Sequence, residues 1–327
     1  MNQTLPTPAE RSAARLDPLG AWRVNRDALA AELQTRLAPA AVIKLDEPMA
    51  RRTTLRVGGC ADFYVEPASE ADLATLLRWC ASHQLPIFVL GRGSNLLVRD
   101  GGIRGVVICL AHPSFSTVEI TGYRLRCGAG AKLKQVAQDA RRNQLTGLEF
   151  LEGIPGTVGG ALRMNAGAMG GWMFDLVESV RYMDYAGGTH EATPEQARVE
   201  YRKCGLLLEN IALGALLKGH PASREVVDKR MKAFSQKRWD SQPAAPSAGC
   251  IFKNPNTIPA GKLIDELGLK GTRVGDALVS AEHGNFIVND GAATAGDVLK
   301  LIDLIRTRAR AERGVELHTE VEIIGEE

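Results

Sequence analysis

Between Gly153 and Gly167, five glycines fall within fifteen residues: Gly-Ile-Pro-Gly-Thr-Val-Gly-Gly-Ala-Leu-Arg-Met-Asn-Ala-Gly. One or two glycines would mark turns. This density, with Ile154, Pro155, Thr157, Asn165 and Ala166 between them, suits a backbone that lies against a planar ring and bonds its edge. A second glycine turn, Gly91-Arg92-Gly93-Ser94-Asn95-Leu96, follows the apolar run Pro86–Leu90, which reads as a buried strand. Unhindered N–H groups at such a turn can converge on the oxygens of a pyrophosphate. The turn matches the first two glycines of the dinucleotide fingerprint but has Leu96 at the third. A strand and turn, Leu-Val-Arg-Asp-Gly-Gly, follow it rather than a long helix, so a Rossmann unit fails on context. The chain also lacks a Gly-x4-Gly-Lys-Ser/Thr loop and a His-Glu-x-x-His zinc motif, and no metal ligand set is expected.

At 327 residues, two domains are the natural expectation. The formal net charge of +2 supplies no field that would recruit nucleic acid. Cysteines 60, 80, 109, 127, 204 and 250 form no Cys-x-x-Cys pair and sit mostly in apolar runs, as free thiols of a reducing compartment do. Pro6, Pro8, Glu10, Arg11 and Arg15 stand where a signal peptide needs an apolar core. No run approaches the ~18 apolar residues of a membrane span. These features point to a cytoplasmic protein of mixed helices and strands.

Residues 1–45 read as an arm, partly disordered or helical, with a short helix from Asn25 to Leu37 and little to bury. A strand is expected within 56–66. Ser69-Glu-Ala-Asp72 has the form of a capping box, followed by Leu73, Leu76, Leu77 and Cys80 on one helical face. Residues 133–142 read as helix and 177–184 as strand. A charged helix over 224–239 and a Pro/Ala loop at 243–246 suggest a boundary near Gly219. This gives a first domain over 46–219 and a second over 220–327. Thr294-Ala-Gly-Asp297 is a second capping box, with Val298, Leu301, Ile302 and Ile305 as its stripe and Gly314 as its stop. The strand Glu320–Ile324 follows.

The two glycine loops together resemble the FAD-binding fold of the vanillyl-alcohol-oxidase (PCMH) type, in which two α+β subdomains clamp FAD. Relatives with covalent flavin use a histidine in the first loop. This chain has Asn95 and no neighbouring His, which implies non-covalent FAD. Over most of its length the chain further resembles the MurB reductases, which convert UDP-N-acetylglucosamine enolpyruvate to UDP-N-acetylmuramate for peptidoglycan. The landmarks, in order, are Arg56-Val-Gly-Gly, Leu90–Leu97, Gly147-Leu-Glu-Phe150, the 153–168 cluster, Tyr201-Arg202, Ser247-Ala-Gly-Cys-Ile-Phe-Lys-Asn-Pro255, Glu282–Asn289 and Glu320–Gly325. The short segment after Tyr201-Arg202 matches the compact second type. The implied fold is α+β: a PCMH-type FAD domain followed by a C-terminal α+β substrate domain.

The resemblance implies that NADPH delivers hydride to FAD and departs, after which the enolpyruvyl sugar nucleotide enters the same cleft and receives hydride at C3. Negative charge then develops at C2 and spreads into the carboxylate, so the site needs cationic or acidic groups and a proton donor for C2. Arg202 matches the enolate stabiliser and Glu320 the second stabilising acid, which in that role carries a proton. Cys250 stands where the family has its proton-donating serine. A thiol of pKa ~8.5 is mostly protonated at neutral pH and is a far stronger acid than a serine hydroxyl. Tyr201, Lys253 and Asn254 match substrate contacts, and His283 and Asn285 read as groups that orient the loop. The partner implied is a small molecule acting on a monomer. Two other readings are a flavin oxidase of the same superfamily and an FAD-binding protein impaired at Cys250.

Overall fold

Where capping and periodicity agree, helices form as expected. The computed structural model describes residues 21–327, so the part of the expected arm before Ala21 lies outside the described residues. The helix Ala295–Arg313 begins at Thr294, whose side chain accepts from Asp297 N while the Asp297 carboxylate accepts from Thr294 N. It ends at Gly314 in the left-handed conformation, φ 65°. Val298, Leu301, Ile302 and Ile305 are all buried, each contributing ~1.5–3 kcal/mol of apolar burial. The helix Glu70–Ser82 buries Leu73, Leu76, Leu77 and Cys80, but only half of its expected box forms. Ser69 caps Asp72 N, whereas the Asp72 carboxylate takes Ala38 N and Ala68 N. Asp72 therefore pins a neighbouring segment instead of closing its own helix end.

Internal contacts divide the chain into two units, and the division is not linear. The first comprises the described residues up to Leu45, Asp62–Gly91 and Gly105–Met231; the second comprises Asp46–Ala61, Arg92–Arg104 and Lys232–Glu327. A single cut near Gly219 does not describe this arrangement. Three of the five crossing points fall inside the strands Val42–Pro48, Cys60–Glu66 and Ile103–Cys109, and a fourth inside the helix Arg224–Ser241.

The first unit holds a five-stranded sheet and most of a four-stranded one. A four-stranded sheet runs in the order Val42–Pro48, Cys60–Glu66, Ile103–Cys109, Ile87–Leu90, the last pair parallel. A five-stranded antiparallel sheet runs Thr189–Ala192, Val177–Met183, Ile211–Lys218, Arg124–Gly128, Val118–Thr121. The N-terminal segment buries more than its composition promised. In the helix Arg26–Arg36, Leu33 joins the core formed by Phe63, Leu73 and Trp79, and Glu32 Oε1 accepts from Trp79 Nε1 at 3.2 Å.

The second unit contains an antiparallel sheet in the order Ser247–Cys250, Phe286–Asn289, Ala277–Val279, Arg273–Val274. The strand Glu322–Ile324 pairs in parallel with Leu96–Val98. Asp100 accepts from Ala295 N and Gly296 N, tying the 92–104 segment to the first turn of the last helix. This pairing is why the segment belongs with the C-terminal residues.

Candidate active site

In the first unit, the glycine cluster splits into residues that the protein itself requires and one that it does not. A Cβ on Gly167 would lie 2.4 Å from the Trp172 ring, and one on Gly159 would lie 3.1 Å from Ala129. Gly159 N also bonds Ala129 O. Those two glycines serve close packing. A Cβ on Gly160 would meet only Thr157 Oγ1, 3.7 Å away, and one on Gly91 would lie 3.1 Å from the same hydroxyl and 3.9 Å from Gly160 Cα. Gly91, Thr157 and Gly160 therefore form a floor of small atoms at the N-terminal end of the short helix Val158–Arg163. The amides of Gly156 and Val158 bond Ile154 O and Ala131 O, so the loop's amides are not uniformly turned outward.

Asn165 serves the protein as well. Buried, with φ 37°, it accepts from Phe174 N at 3.2 Å and donates to Glu200 O at 3.4 Å. Its amide thus ties the glycine loop to the hairpin that follows.

That hairpin pairs Val199–Glu200 with Lys203–Cys204, leaving Tyr201 and Arg202 as its two turn residues. Arg202 has φ 57°, at the position where a type II turn prefers Gly or Asn. An L residue held there costs ~1–3 kcal/mol and persists only when its surroundings impose it. The Arg202 guanidinium carbon lies 5.3 Å from the ring centroids of both Tyr201 and Trp172, and Nη1 donates to Gly167 O at 3.5 Å. The two rings meet edge-on, 5.6 Å apart, and Tyr201 is 51% exposed. Trp172 carried no expected role. A lone aromatic after two glycines has no periodic or motif signal, and only the fold brings it to Arg202.

In the second unit, Cys250, Glu320 and Asn95 are brought together through the main chain. Cys250 ends the strand Ser247–Cys250 and pairs with Phe286. A register shift precedes it, with Gly249 at φ 76°. Bulges of this kind re-aim the side chain that follows. Glu320 N donates to Ile251 O at 2.8 Å, Lys253 N donates to His318 O, and Phe252 bridges Thr319, so residues 250–253 run against 318–320. Asn95 Nδ2 donates to Glu320 O at 3.1 Å, and Asn95 O accepts from Glu322 N. Glu320 lies just before the strand Glu322–Ile324 rather than opening it.

Buried Asn285 clamps Phe252 from both sides, its Oδ1 accepting from Phe252 N at 2.9 Å and its Nδ2 donating to Phe252 O at 2.8 Å. His283 Nδ1 accepts from Asn285 N. Burial and then Lys270 push its pKa below the ordinary imidazole value, which keeps the ring neutral and suited to accepting. Both residues orient the loop. Cys250 is half-buried and Lys253 exposed, while Asn254 spends its Oδ1 on Ala260 N at 3.0 Å, steadying its own turn. Gly93, at φ 63°, packs on Arg52 O, so its need for glycine arises from the backbone.

The small-atom floor fits the flat, anionic body of FAD, since it offers backbone and a hydroxyl where other loops place side chains. Residues 61–193 match the family model of an FAD-binding domain, and residues 242–324 match that of the UDP-N-acetylenolpyruvoylglucosamine reductase C-terminal domain. A UDP-N-acetylenolpyruvoylglucosamine reductase of Geobacter metallireducens is 46% identical over 283 residues, covering 86% of this chain and 94% of the relative. The Clostridioides difficile enzyme is 43% identical over 288 residues, covering 87% and 94%. The crystal structure of the Thermus caldophilus reductase superposes with a TM-score of 0.75 at 41% identity, covering 86% of this chain and 98% of that one. With likeness at this level along both units, the chain belongs to the UDP-N-acetylenolpyruvoylglucosamine reductase family.

Proposed function

We infer that the protein reduces UDP-N-acetylglucosamine enolpyruvate to UDP-N-acetylmuramate, a step of peptidoglycan precursor synthesis, using NADPH and FAD. The observation that carries this reading is 46% identity to a named reductase across 86% of the chain. Bound FAD would supply the hydride relay between NADPH and C3 of the enolpyruvyl group. The backbone of Gly91–Leu96 and of Gly153–Gly167 would hold it, with Gly160 and Thr157 as the surface left clear.

The remaining chemistry falls to side chains. Arg202 supplies a permanent positive charge for the carboxylate as electron density moves onto it, and its fixed backbone removes the need to reorganise during reaction. Glu320 is the second group assigned to that charge, held by Ile251 O and Asn95. Cys250 Sγ gives its proton to C2. Support for this comes from the register shift at Gly249, which interrupts the strand ladder just before Cys250, and from the main-chain bonds that run residues 250–253 against 318–320. Lys253, exposed at the end of that ladder, is a point charge for an anionic part of the nucleotide, and Tyr201 offers an exposed ring. Among the described residues no helix is long and apolar enough to cross a membrane. We take the enzyme to act as a cytoplasmic monomer on a small molecule.

Steady-state stoichiometry tests this reading against an oxidase. With the enolpyruvyl nucleotide present, one NADPH should disappear per product formed and oxygen consumption should stay at background. Oxygen uptake matching turnover, with NADPH dispensable, would assign the protein to oxidase chemistry.

A further inference from the structure

We propose that Trp172 is a positioning residue for Arg202, a role that rests on the reductase reading above and that the sequence does not signal. The Arg202 backbone is strained, φ 57°, in a two-residue turn with no glycine to relax it. A strained backbone persists only where its surroundings impose it, and a long cation otherwise samples many rotamers, so both gain from a neighbouring brace. Trp172 provides one. Its indole lies so close to the main chain of Gly167 that a Cβ there would come within 2.4 Å of the ring, and the Arg202 guanidinium sits 5.3 Å from the same ring's centroid while donating to Gly167 O. Ring and carbonyl thus fix the guanidinium from two directions, and Asn165 joins the same loop to the hairpin through Glu200 O.

Trp172 is itself placed by the short pairing Gly167–Ala168 with Gly171–Trp172, in which Trp172 stands opposite Gly167. Its main-chain N–H is taken by Asp175 Oδ2 at 2.8 Å. Glycine at 167 lets the indole reach the strand, and the indole in turn faces the arginine. In this arrangement Trp172 touches the reacting groups through Arg202, with the Tyr201 ring as its other aromatic contact.

The test uses the FAD-loaded enzyme and separates the two half-reactions. Trp172→Ala should leave flavin content and reduction by NADPH unchanged. Reoxidation by the enolpyruvyl nucleotide should slow roughly two- to tenfold, the scale of a lost cation–π contact with a half-buried ring. Trp172→Phe should recover most of that loss, because a phenyl ring keeps a face for the cation. A readout independent of activity is near-UV circular dichroism of the FAD-loaded enzyme without substrates. Arg202→Met should change the tryptophan band in the wild-type background and leave it unchanged when Trp172 is already Phe. Normal reoxidation in Trp172→Ala, equal losses in both half-reactions, or an Arg202→Met spectrum that changes regardless of residue 172 would each overturn the proposal. Failure of the unmutated enzyme to reoxidise with the nucleotide would instead overturn the reductase reading.

Discussion

Cys250→Ala should leave flavin reduction by NADPH almost intact while flavin reoxidation by the enolpyruvyl nucleotide falls at least ~10²-fold, the usual cost of a lost general acid. The asymmetry follows from chemistry, since hydride transfer from NADPH needs no proton at the substrate's C2. Cys250→Ser should retain much of the activity, because a hydroxyl at the same position could donate a proton, the role that the family resemblance implies for serine there. Alkylation should block the second half-reaction and be slowed by bound substrate. Cys80, Cys109, Cys127 and Cys204 are buried and Cys60 is half-buried like Cys250, so the labelling belongs in a Cys60→Ser background. Stopped-flow absorbance of the flavin separates the steps. An alanine variant that reoxidises normally would remove Cys250 from the mechanism and leave water or another residue as the acid.

The second large effect concerns Gly160. Inside a helix, replacing glycine normally helps by up to ~1 kcal/mol, and within the protein a Cβ on Gly160 meets only Thr157 Oγ1 at 3.7 Å. Gly160→Leu should therefore fold with a melting temperature close to that of the wild-type apoprotein, yet purify without yellow colour, because the added side chain takes space kept for FAD. Gly159→Leu is the contrast. Its side chain would press on Ala129, and this variant should lose stability as well as flavin. A Gly160→Leu protein that retains stoichiometric FAD would move the cofactor away from this floor. Acid precipitation of the wild type should release all the yellow colour, as expected of a non-covalent flavin.

What was legible in the sequence depended on how local its physics is. Thr294, Asp297 and the stripe from Val298 to Ile305 announce a helix because capping and periodicity act within a few residues. The glycine loops and the Ser247–Pro255 segment were legible because unusual residue types crowd together there. The interleaving of the two units was not, since it depends on pairings such as Leu96–Val98 with Glu322–Ile324, more than two hundred residues apart. Asp72 looked like half of a capping box, but its carboxylate found better donors in Ala38 and Ala68. Leu33 and Leu37 looked poorly supported in an Ala- and Arg-rich segment, yet the aromatic and aliphatic side chains that cover them come from elsewhere in the chain. The left-handed Arg202 and its contact with Trp172 arise only in the folded hairpin, where a propensity reading would have placed Gly or Asn.

The most direct test of the central claim is anaerobic and uses the unmutated protein. Yellow enzyme mixed with one equivalent of NADPH should bleach at the flavin band, and later addition of UDP-N-acetylglucosamine enolpyruvate should restore the colour with formation of UDP-N-acetylmuramate. Protein that bleaches but is not recoloured by the nucleotide, or that does not bleach with NADPH at all, would contradict the account.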